Sequence, residues 1–374
     1  MRIRFEQYCD ELVPAVRAFN RRLDAAGVES GYRLGAVPDP VQPYGDTDVY
    51  KTTFLAVDGP NVRGSITLQH QPFVVAGIPR QAVNIQLPLS EGLGDKRYAF
   101  IGMWLIKNVV QRHPFCFAVG MGGLSQPLPK LLLALHWDVR PVPFFFYVHR
   151  VQRFLRGMPR IRSGRLRRLA ADAAAYSGVG WFGLRLLERI RSRRTRAAVQ
   201  LPLTMNPEYH WGPWADELWK SAFQNASAIG VRSGETLPTL YPPGDRYLLF
   251  RLAGQGRTVG WVVLLNTRMK GNSYFGDLRV GTILDALCIP GYEDAAAYAI
   301  RRVLDRLDVD VSICNHAHAS WQAALHASGY RSGPSNYLLA MSKQLSDAVL
   351  GCADHTGHER IHLTRGDGDG RIHL

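Results

Sequence analysis

One order of secondary-structure elements is predicted twice along the chain. In each half a helix is followed by a group of strands, a second helix, a buried strand, a short helix and a closing strand. The first copy begins with a helix at 8–26, a strand meander at 53–89 and a helix at 98–112. The second copy has its two longer helices at 214–225 and 294–307. This alternation predicts an α/β protein (α+β, with mixed sheets) that contains two lobes of the same plan.

Length and composition agree with two domains. The chain has 374 residues, of which 46% are hydrophobic and 20% are charged, as in globular proteins. We expect an N-terminal lobe at 1–149, an arginine-rich, mostly helical linker at 150–204, a C-terminal lobe at 205–345 and a tail at 346–374. The tail contains the tetrapeptide RIHL twice, which predicts either a hairpin or a frayed end. The Gly/Asp loop between the two copies offers carboxylates to a divalent cation or forms a polar hairpin tip.

Cysteine usage and the N-terminus indicate the compartment. The five cysteines are widely spaced and form no CxxC pair, which favours a reducing environment. The N-terminus has no apolar segment of the kind found in signal peptides, and no run of about 18 uncharged apolar residues occurs. We therefore expect a cytoplasmic protein.

The positive charge is concentrated in one segment. The net charge is +14, and residues 150–196 contain 14 arginines, no lysine and two acidic residues. Basic flanks around the apolar stretch 173–187 suit a helix lying on the anionic inner face of a membrane, and equally a solvated linker between lobes. The charge would also suit tRNA, whereas no RNP, helix-turn-helix or zinc pattern points to another nucleic acid.

A loop motif precedes the second helix of the first lobe. Residues 97–102 read Arg-Tyr-Ala-Phe-Ile-Gly, so Arg97 and Gly102 agree with the pattern R/Q-x-x-G-x-G/A and Phe100 replaces its first glycine. With the element order, this motif resembles the GNAT acyltransferase superfamily. Two such lobes in one chain resemble FemAB-type aminoacyl transferases and GNAT-like proteins of exopolysaccharide clusters. The resemblance implies that loop amides and a helix N-terminus bind the pyrophosphate of an acyl-CoA, with Arg97 and Gly102 as cofactor-binding residues.

Further residues extend the expected cofactor site. The loop at 90–94 offers an alternative phosphate nest, and its Glu91 is expected to bind substrate. Gly120 and Gly122 follow the buried strand of the first lobe, where glycines permit close approach of a cofactor or form a tight turn. The matching loop of the second lobe, 289–296, has one glycine and no basic residue, which predicts a capped helix without a cofactor.

Asp285 is the first candidate catalytic residue. It interrupts the apolar strand at 281–288, where a carboxylate is costly unless it is paired or functional. It is expected to act as a base, and the alternative is an ion pair with an arginine such as Arg279. The tyrosine acid of many GNAT domains is absent from both lobes, because Leu132 and Leu325 occupy the corresponding positions.

Polar residues at the end of the next buried strand complete the predicted site. His316 is a candidate base near neutral pH, and Asn315 is expected to bind substrate. No third ligand accompanies the pair formed by His316 and His318, so no metal site is predicted. The aromatic stretch at 209–219 predicts either core packing or a platform for a sugar.

The resemblance implies a function in acyl transfer. We expect N-acyl or N-acetyl transfer from acetyl-CoA or another acyl-CoA to an amino sugar, a cell-envelope precursor or a polysaccharide precursor, at the cytoplasmic side of a membrane. Two alternatives remain open. One is a binding or accessory protein that keeps the fold without the chemistry, and the other is a FemAB-like transferase that uses aminoacyl-tRNA.

Overall fold

The computed structural model describes the chain in five ranges. These are 2–28, 33–35, 48–159, 202–351 and 360–368. The predictions for the basic segment beyond 159 and for the second RIHL copy lie outside the described residues. Within those five ranges, no helix is both long and apolar enough to span a membrane.

The chain divides into two compact units, and each is built from two pieces of sequence. Unit 1 comprises Met1–Pro141 and Asn336–Ala353, and unit 2 comprises Val142–Ser335 and Asp354–Leu374.

Unit 1 is a mixed sheet with helices. Its elements in chain order are β1 (Ile3–Gln7), α1 (Val13–Ala25), β2 (Tyr50–Asp58), β3 (Asn61–Val75), β4 (Ile78–Ser90), α2 (Ile101–Arg112), β5 (Cys116–Gly120), α3 (Pro127–Ala134), β6 (Asp138–Pro141), β15 (Leu338–Met341) and α9 (Lys343–Leu350). The strands follow the order β1-β2-β3-β4-β5-β15-β6, and among the described residues of this order β4 and β5 form the parallel pair.

Unit 2 repeats this plan. Its elements are β7 (Phe144–Val148), α4 (Val151–Gly157), β8 (Thr204–Glu208), α5 (Trp214–Ala222), β9 (Ala228–Gly230), α6 (Leu237–Leu240), β10 (Leu248–Gly254), β11 (Arg257–Arg268), β12 (Arg279–Cys288), α7 (Glu293–Arg306), β13 (Val311–Asn315), α8 (Ala319–Ala327), β14 (Arg331–Gly333) and β16 (Ile361–His362). The main sheet has the order β14-β7-β13-β12-β11-β10-β8, and β12 and β13 form its parallel pair. The predicted α/β class with mixed sheets in two similar lobes is confirmed.

Apolar spacing explains the principal helices. In α2 the buried side chains recur at helical intervals, at Ile101, Leu105, Ile106 and Val109. They pack on alternate residues of β3 and β4, whose side chains point to one face of the sheet. The N-terminal helix begins later than predicted, because a 3-10 turn at Asp10–Leu12 precedes it.

The parallel strands in each unit pair over a short length and then separate. In unit 1 the pairing of β4 with β5 consists of Val83 with Cys116 and Asn84 with Phe117. In unit 2 the pairing of β12 with β13 ends at Ile283 and Cys314, although β12 continues to Cys288. A gap therefore opens at the carboxyl ends of the parallel strands, where α/β folds commonly bind ligands.

Two strands belong to a different unit from the one that their position in the sequence suggests. β15 lies between β5 and β6 in unit 1, and β7 lies between β13 and β14 in unit 2. The predicted lobes at 1–149 and 205–345 place each strand in the other unit. Because both strands are short and apolar, either sheet would bury them equally well, and the sequence does not distinguish the two arrangements.

Candidate functional site

A buried ion cluster lies at the gap of unit 2. The Arg232 guanidinium donates from Nε to Asp285 Oδ2 at 2.7 Å and from an Nη to Asp367 Oδ1 at 2.6 Å. The side chains of all three residues are 0% exposed. One cation thus joins two buried carboxylates by short, charge-assisted hydrogen bonds.

Both oxygens of Asp285 are occupied. Besides Arg232, the Tyr241 hydroxyl donates to Oδ2 at 2.7 Å, while the Thr364 hydroxyl lies 3.1 Å from Oδ1. Burial alone would raise the pKa of Asp285, but the charge of Arg232, the nearby His362 and the hydrogen bond from Tyr241 hold it well below its usual range. Asp285 is therefore ionised and paired, and its partner is Arg232 rather than the Arg279 considered from sequence.

A bulge in β12 orients this carboxylate. Val263 of β11 pairs with Asp285 and Leu264 pairs with Ile283, so Leu284 has no partner in β11. Such a bulge changes the direction of the following side chain and often marks a functional edge. It lies where β12 leaves β13, which places Asp285 at the gap.

The C-terminal segment fills the gap of unit 2. Thr364 forms a β-bridge with His316, just after β13, and the amide of Ala317 donates to the carbonyl of Leu363 at 2.9 Å. On the other side of the gap, Thr364 contacts Asp285 of β12. The segment is also tied to the unit through β16, which pairs with β9 in parallel. The gap between the divergent strands β12 and β13 is thus filled by the C-terminal segment of the same chain.

The predicted residues at the end of β13 are engaged by this segment. The Asn315 side chain donates to the carbonyls of Val142 and Pro143, and its oxygen accepts from Arg365 at 3.0 Å. His316 is 1% exposed, with Nδ1 accepting the backbone N–H of His318. Among the described residues, no three His, Cys, Asp or Glu side chains are placed to hold a metal ion.

Three histidines share this buried region. The rings of His316 and His362 meet edge to face at 4.8 Å, and His318 lies 6.1 Å from His362. Burial, reinforced by His362 and His318, lowers the pKa of His316 well below its usual value. The imidazole of His316 is therefore neutral at physiological pH, and its Nε2 has no hydrogen-bond partner.

The gap of unit 1 has different surroundings. The described strand pairings leave β4 beyond Asn84 without a neighbour on the side of β5. The loop after β4 leads into α2, whose first turn contains Gly102. Arg97, just before that helix, is 81% exposed and forms an ion pair with Asp95. A helix N-terminus and an exposed cationic side chain thus follow the same strand end in sequence.

Glu91 and its neighbouring glycines have structural partners. Its carboxylate accepts from Arg22 at 2.8 Å and from Arg63 at 3.0 Å, and it is largely buried. A side chain at Gly92 would collide with the backbone of Tyr98 and Ala99. The predicted nest at 90–94 is therefore a tightly packed turn.

Gly120 and Gly122 lie in a run of left-handed backbone. Residues 120–123 have φ angles of 90°, 62°, 76° and 109°, and Met121 is the one non-glycine among them. Side chains added at Gly120 or Gly122 would meet other atoms no closer than 3.4 Å. Backbone conformation rather than crowding therefore requires glycine at the end of β5.

Sequence reasoning missed the residues that organise the gap of unit 2. Arg232 and Asp367 lie in polar loops 135 positions apart, and Tyr241 follows a four-residue helix. None of them interrupts an apolar pattern, which is the signal that identified Asp285.

Comparisons with known proteins give similarity in fold. No family model matches the chain, and no curated protein matches it. Similar solved structures include Saccharomyces cerevisiae N-myristoyltransferase with bound myristoyl-CoA and inhibitors, at a TM-score of 0.48 and 11% identity over 91% of this chain and 79% of that one. A GCN5-related N-acetyltransferase from Anabaena variabilis has a TM-score of 0.49 and 10% identity over 90% and 72%. A tandem GNAT protein from the clavulanic acid biosynthesis pathway has a TM-score of 0.44 and 12% identity over 91% and 99%.

Proposed function

We propose that the chain is an acyltransferase and that unit 1 holds the acyl-CoA donor. The observation that carries this proposal is the difference between the two gaps. In unit 2 residues 363–367 occupy the space between the separated strands, whereas the described pairings leave the edge of β4 in unit 1 free beyond Asn84. A free strand edge can pair with the amide groups of an extended ligand.

The surroundings of the unit 1 gap suit the pyrophosphate of coenzyme A. The first turn of α2 has no side-chain cap and presents the positive end of the helix dipole. Arg97 is itself exposed and can exchange its partner Asp95 for a phosphate. Gly102 lies in this turn, and the glycine-rich turn at 120–123 ends the neighbouring strand.

The proposed reaction forms an amide or ester bond. The lone pair of an amine or hydroxyl attacks the thioester carbonyl carbon, the carbon–sulfur bond breaks, and coenzyme A leaves as a thiol after gaining a proton. The acceptor loses one proton to a base. The catalytic roles of Asp285 and His316 remain predictions, and the contacts of Asp285 favour a structural role. The acceptor class we propose is an amino sugar or another saccharide precursor.

Calorimetric titration of the full chain with acetyl-CoA and free coenzyme A tests the donor. We expect micromolar binding that Arg97→Ala weakens about tenfold, since a charge-assisted hydrogen bond is lost. Arg4→Ala is the matched control, because Arg4 is also exposed and paired with a nearby acid in unit 1. Absence of binding at millimolar ligand would reject the acyl-CoA donor and leave aminoacyl-tRNA to be tested.

A second candidate is a binding protein without turnover. The closed gap of unit 2 favours it for that unit, because the fold there persists while its ligand space is filled. Release of free thiol from acyl-CoA in the presence of candidate acceptors would exclude this candidate. Binding of coenzyme A without any thiol release over a broad acceptor set would support it.

A further inference from the structure

Unit 2 carries a cleft of about 680 Å³ at the end of its sheet. It is formed by the segment after β8, the loop before β10 and the strands β10 and β11. Its lining is unusually aromatic, with Tyr209, Trp211, Tyr241, Tyr247 and Phe250 together with three prolines. This volume is in the range of small-ligand sites and exceeds the space of a single sugar ring.

The aromatic rings of the cleft are held in fixed positions. Trp211 packs edge-on against Trp261 at 5.2 Å, and its indole N–H donates to the carbonyl of Tyr241 at 3.3 Å. Tyr247 meets Tyr241 edge to face at 5.7 Å. Tyr209, in contrast, is 80% exposed. The cleft thus combines rings held in fixed positions with one exposed ring at its margin, which is accessible to a ligand.

The lining of the cleft lacks the basic side chains that dominate the chain as a whole. Glu208, Asp245 and His210 line it, and no lysine or arginine does, although the net charge of the protein is +14. Glu208 is paired with Arg251 at 2.7 Å, and Asp245 forms no ion pair with the described residues. Arg246 lies over the ring of Tyr247 but is not among the lining residues. Such a lining disfavours phosphorylated or carboxylated ligands.

We propose that this cleft binds a carbohydrate that is neutral or carries ammonium groups. A pyranose ring presents an apolar C–H face, which packs on aromatic rings, and hydroxyls, which donate to carboxylates. An ammonium group gains further from Asp245 and from the π-face of a tyrosine. Binding follows from the cleft alone, whereas a role of the bound sugar as acyl acceptor rests on the proposed function.

Three tetrasaccharides that differ in charge test the proposal on the full chain without coenzyme A. The probes are chitosan tetrasaccharide, which is cationic, chitin tetrasaccharide, which is neutral, and tetragalacturonate, which is anionic. Calorimetry should give the tightest binding for the cationic probe, weaker binding for the neutral one and none for the anionic one. Tyr209→Ala should weaken the first two about 2- to 10-fold, and Asp245→Asn should remove the preference for the cationic probe.

Two variants outside the cleft serve as controls. Tyr274→Ala removes a tyrosine that is 48% exposed, and Glu217→Gln removes an exposed carboxylate from α5. Both should leave all three affinities unchanged. The proposal is overturned if tetragalacturonate binds as well as the other probes, if no probe binds, or if the controls weaken binding as much as the cleft variants. Sugar binding without acetyl-CoA binding would reject the donor proposal and keep the carbohydrate site. Acetyl-CoA binding without sugar binding would keep the donor proposal and reject the carbohydrate site.

Discussion

Arg232 neutralises two buried carboxylates that lie far from it in sequence. Removing it leaves Asp285 and Asp367 charged and without a counter-ion in a region that water does not reach. The energetic consequence is asymmetric, since breaking a buried ion pair costs much more than the pair itself contributes.

We therefore expect Arg232→Met to lower the free energy of unfolding by about 3–5 kcal/mol. Urea denaturation followed by tryptophan fluorescence measures the change. Arg97→Met, which breaks an exposed pair in unit 1, should cause a far smaller loss. Equal losses in both variants would show that the cluster is not desolvated as described.

The buried His316 makes stability depend on pH. In the unfolded chain its pKa is near 6.5, whereas burial lowers its pKa in the folded protein. As the pH falls below about 6.5, the unfolded chain gains a proton that the folded protein does not, so the free energy of unfolding decreases. His70 of unit 1 acts in the same direction, because burial, reinforced by His113, lowers its pKa to about 4.

We expect His316→Gln to flatten this dependence. The decrease in unfolding free energy between pH 7 and pH 5 should have a slope smaller by up to about 1.4 kcal/mol per pH unit, which corresponds to one proton. Urea titrations at pH 8, 7, 6 and 5 provide the test, with His70→Gln as the parallel variant. A slope identical to that of the unchanged protein would mean that folding does not lower the pKa of His316.

The sequence predicted part of this residue-level picture. A carboxylate in an apolar strand identified Asp285, and the structure pairs it with an arginine, as the alternative to a catalytic base considered. The sequence could not identify which arginine pairs with Asp285. Arg232 lies in the loop after β9, and no local sequence pattern encodes the path of that loop. Arg279, nearer in sequence, instead uses its backbone N–H to bind Asp310 at 2.8 Å.

Among the elements, the C-terminal segment is held by side chains more than by strand pairing. Thr364 and Asp367 cap each other reciprocally, and Gly366 lies so close to Tyr241 that a side chain would overlap its hydroxyl and crowd Asp285. This close approach explains the glycine at 366, whose neighbours rather than its backbone angles exclude larger residues.

Gly366→Ala should destabilise unit 2, and Tyr241→Phe should partly relieve it. The tyrosine hydroxyl is the atom nearest to the added methyl group, so removing it reduces the overlap. In a double-mutant cycle from urea denaturation, the loss in the double variant should be smaller than the sum of the single losses. Additive losses would contradict the contact.

Elements with strong periodicity were predicted well, and those defined by tertiary partners were not. The apolar spacing of α2 and the turn at Asp58–Asn61 located the helix and the meander of unit 1 within a few residues. The segment at 360–368 contains one two-residue strand and one 3-10 turn, too short to leave a periodic pattern. Its position follows from Arg232 and Asp285, which only the folded chain brings together.

At the scale of the whole molecule, each unit is completed by a strand from the other half of the sequence. In unit 1, β15 pairs with β5 on one side and with β6 on the other. Pro141 and Leu338 are direct cross-strand partners, so a two-residue turn can join them.

This geometry predicts a spliced form of unit 1. A chain that joins residues 1–141 to 338–353 through Asn-Gly should unfold cooperatively, because it contains all seven strands from β1 to β6 and β15 that unit 1 contributes. A fragment of residues 1–149, which lacks β15, should show no cooperative transition in circular dichroism against urea. Cooperative unfolding of the shorter fragment would show that β15 is dispensable.

The exchange of strands also sets the order of events during synthesis. Unit 1 lacks an internal strand of its sheet until β15 leaves the ribosome, roughly 200 residues after β6. At about 5–20 residues per second, this delay lasts on the order of 10–40 s. During that time the edges of β5 and β6 are unpaired and open to association with other chains. Nascent chains of this protein are therefore expected to need chaperones most while unit 2 is being translated.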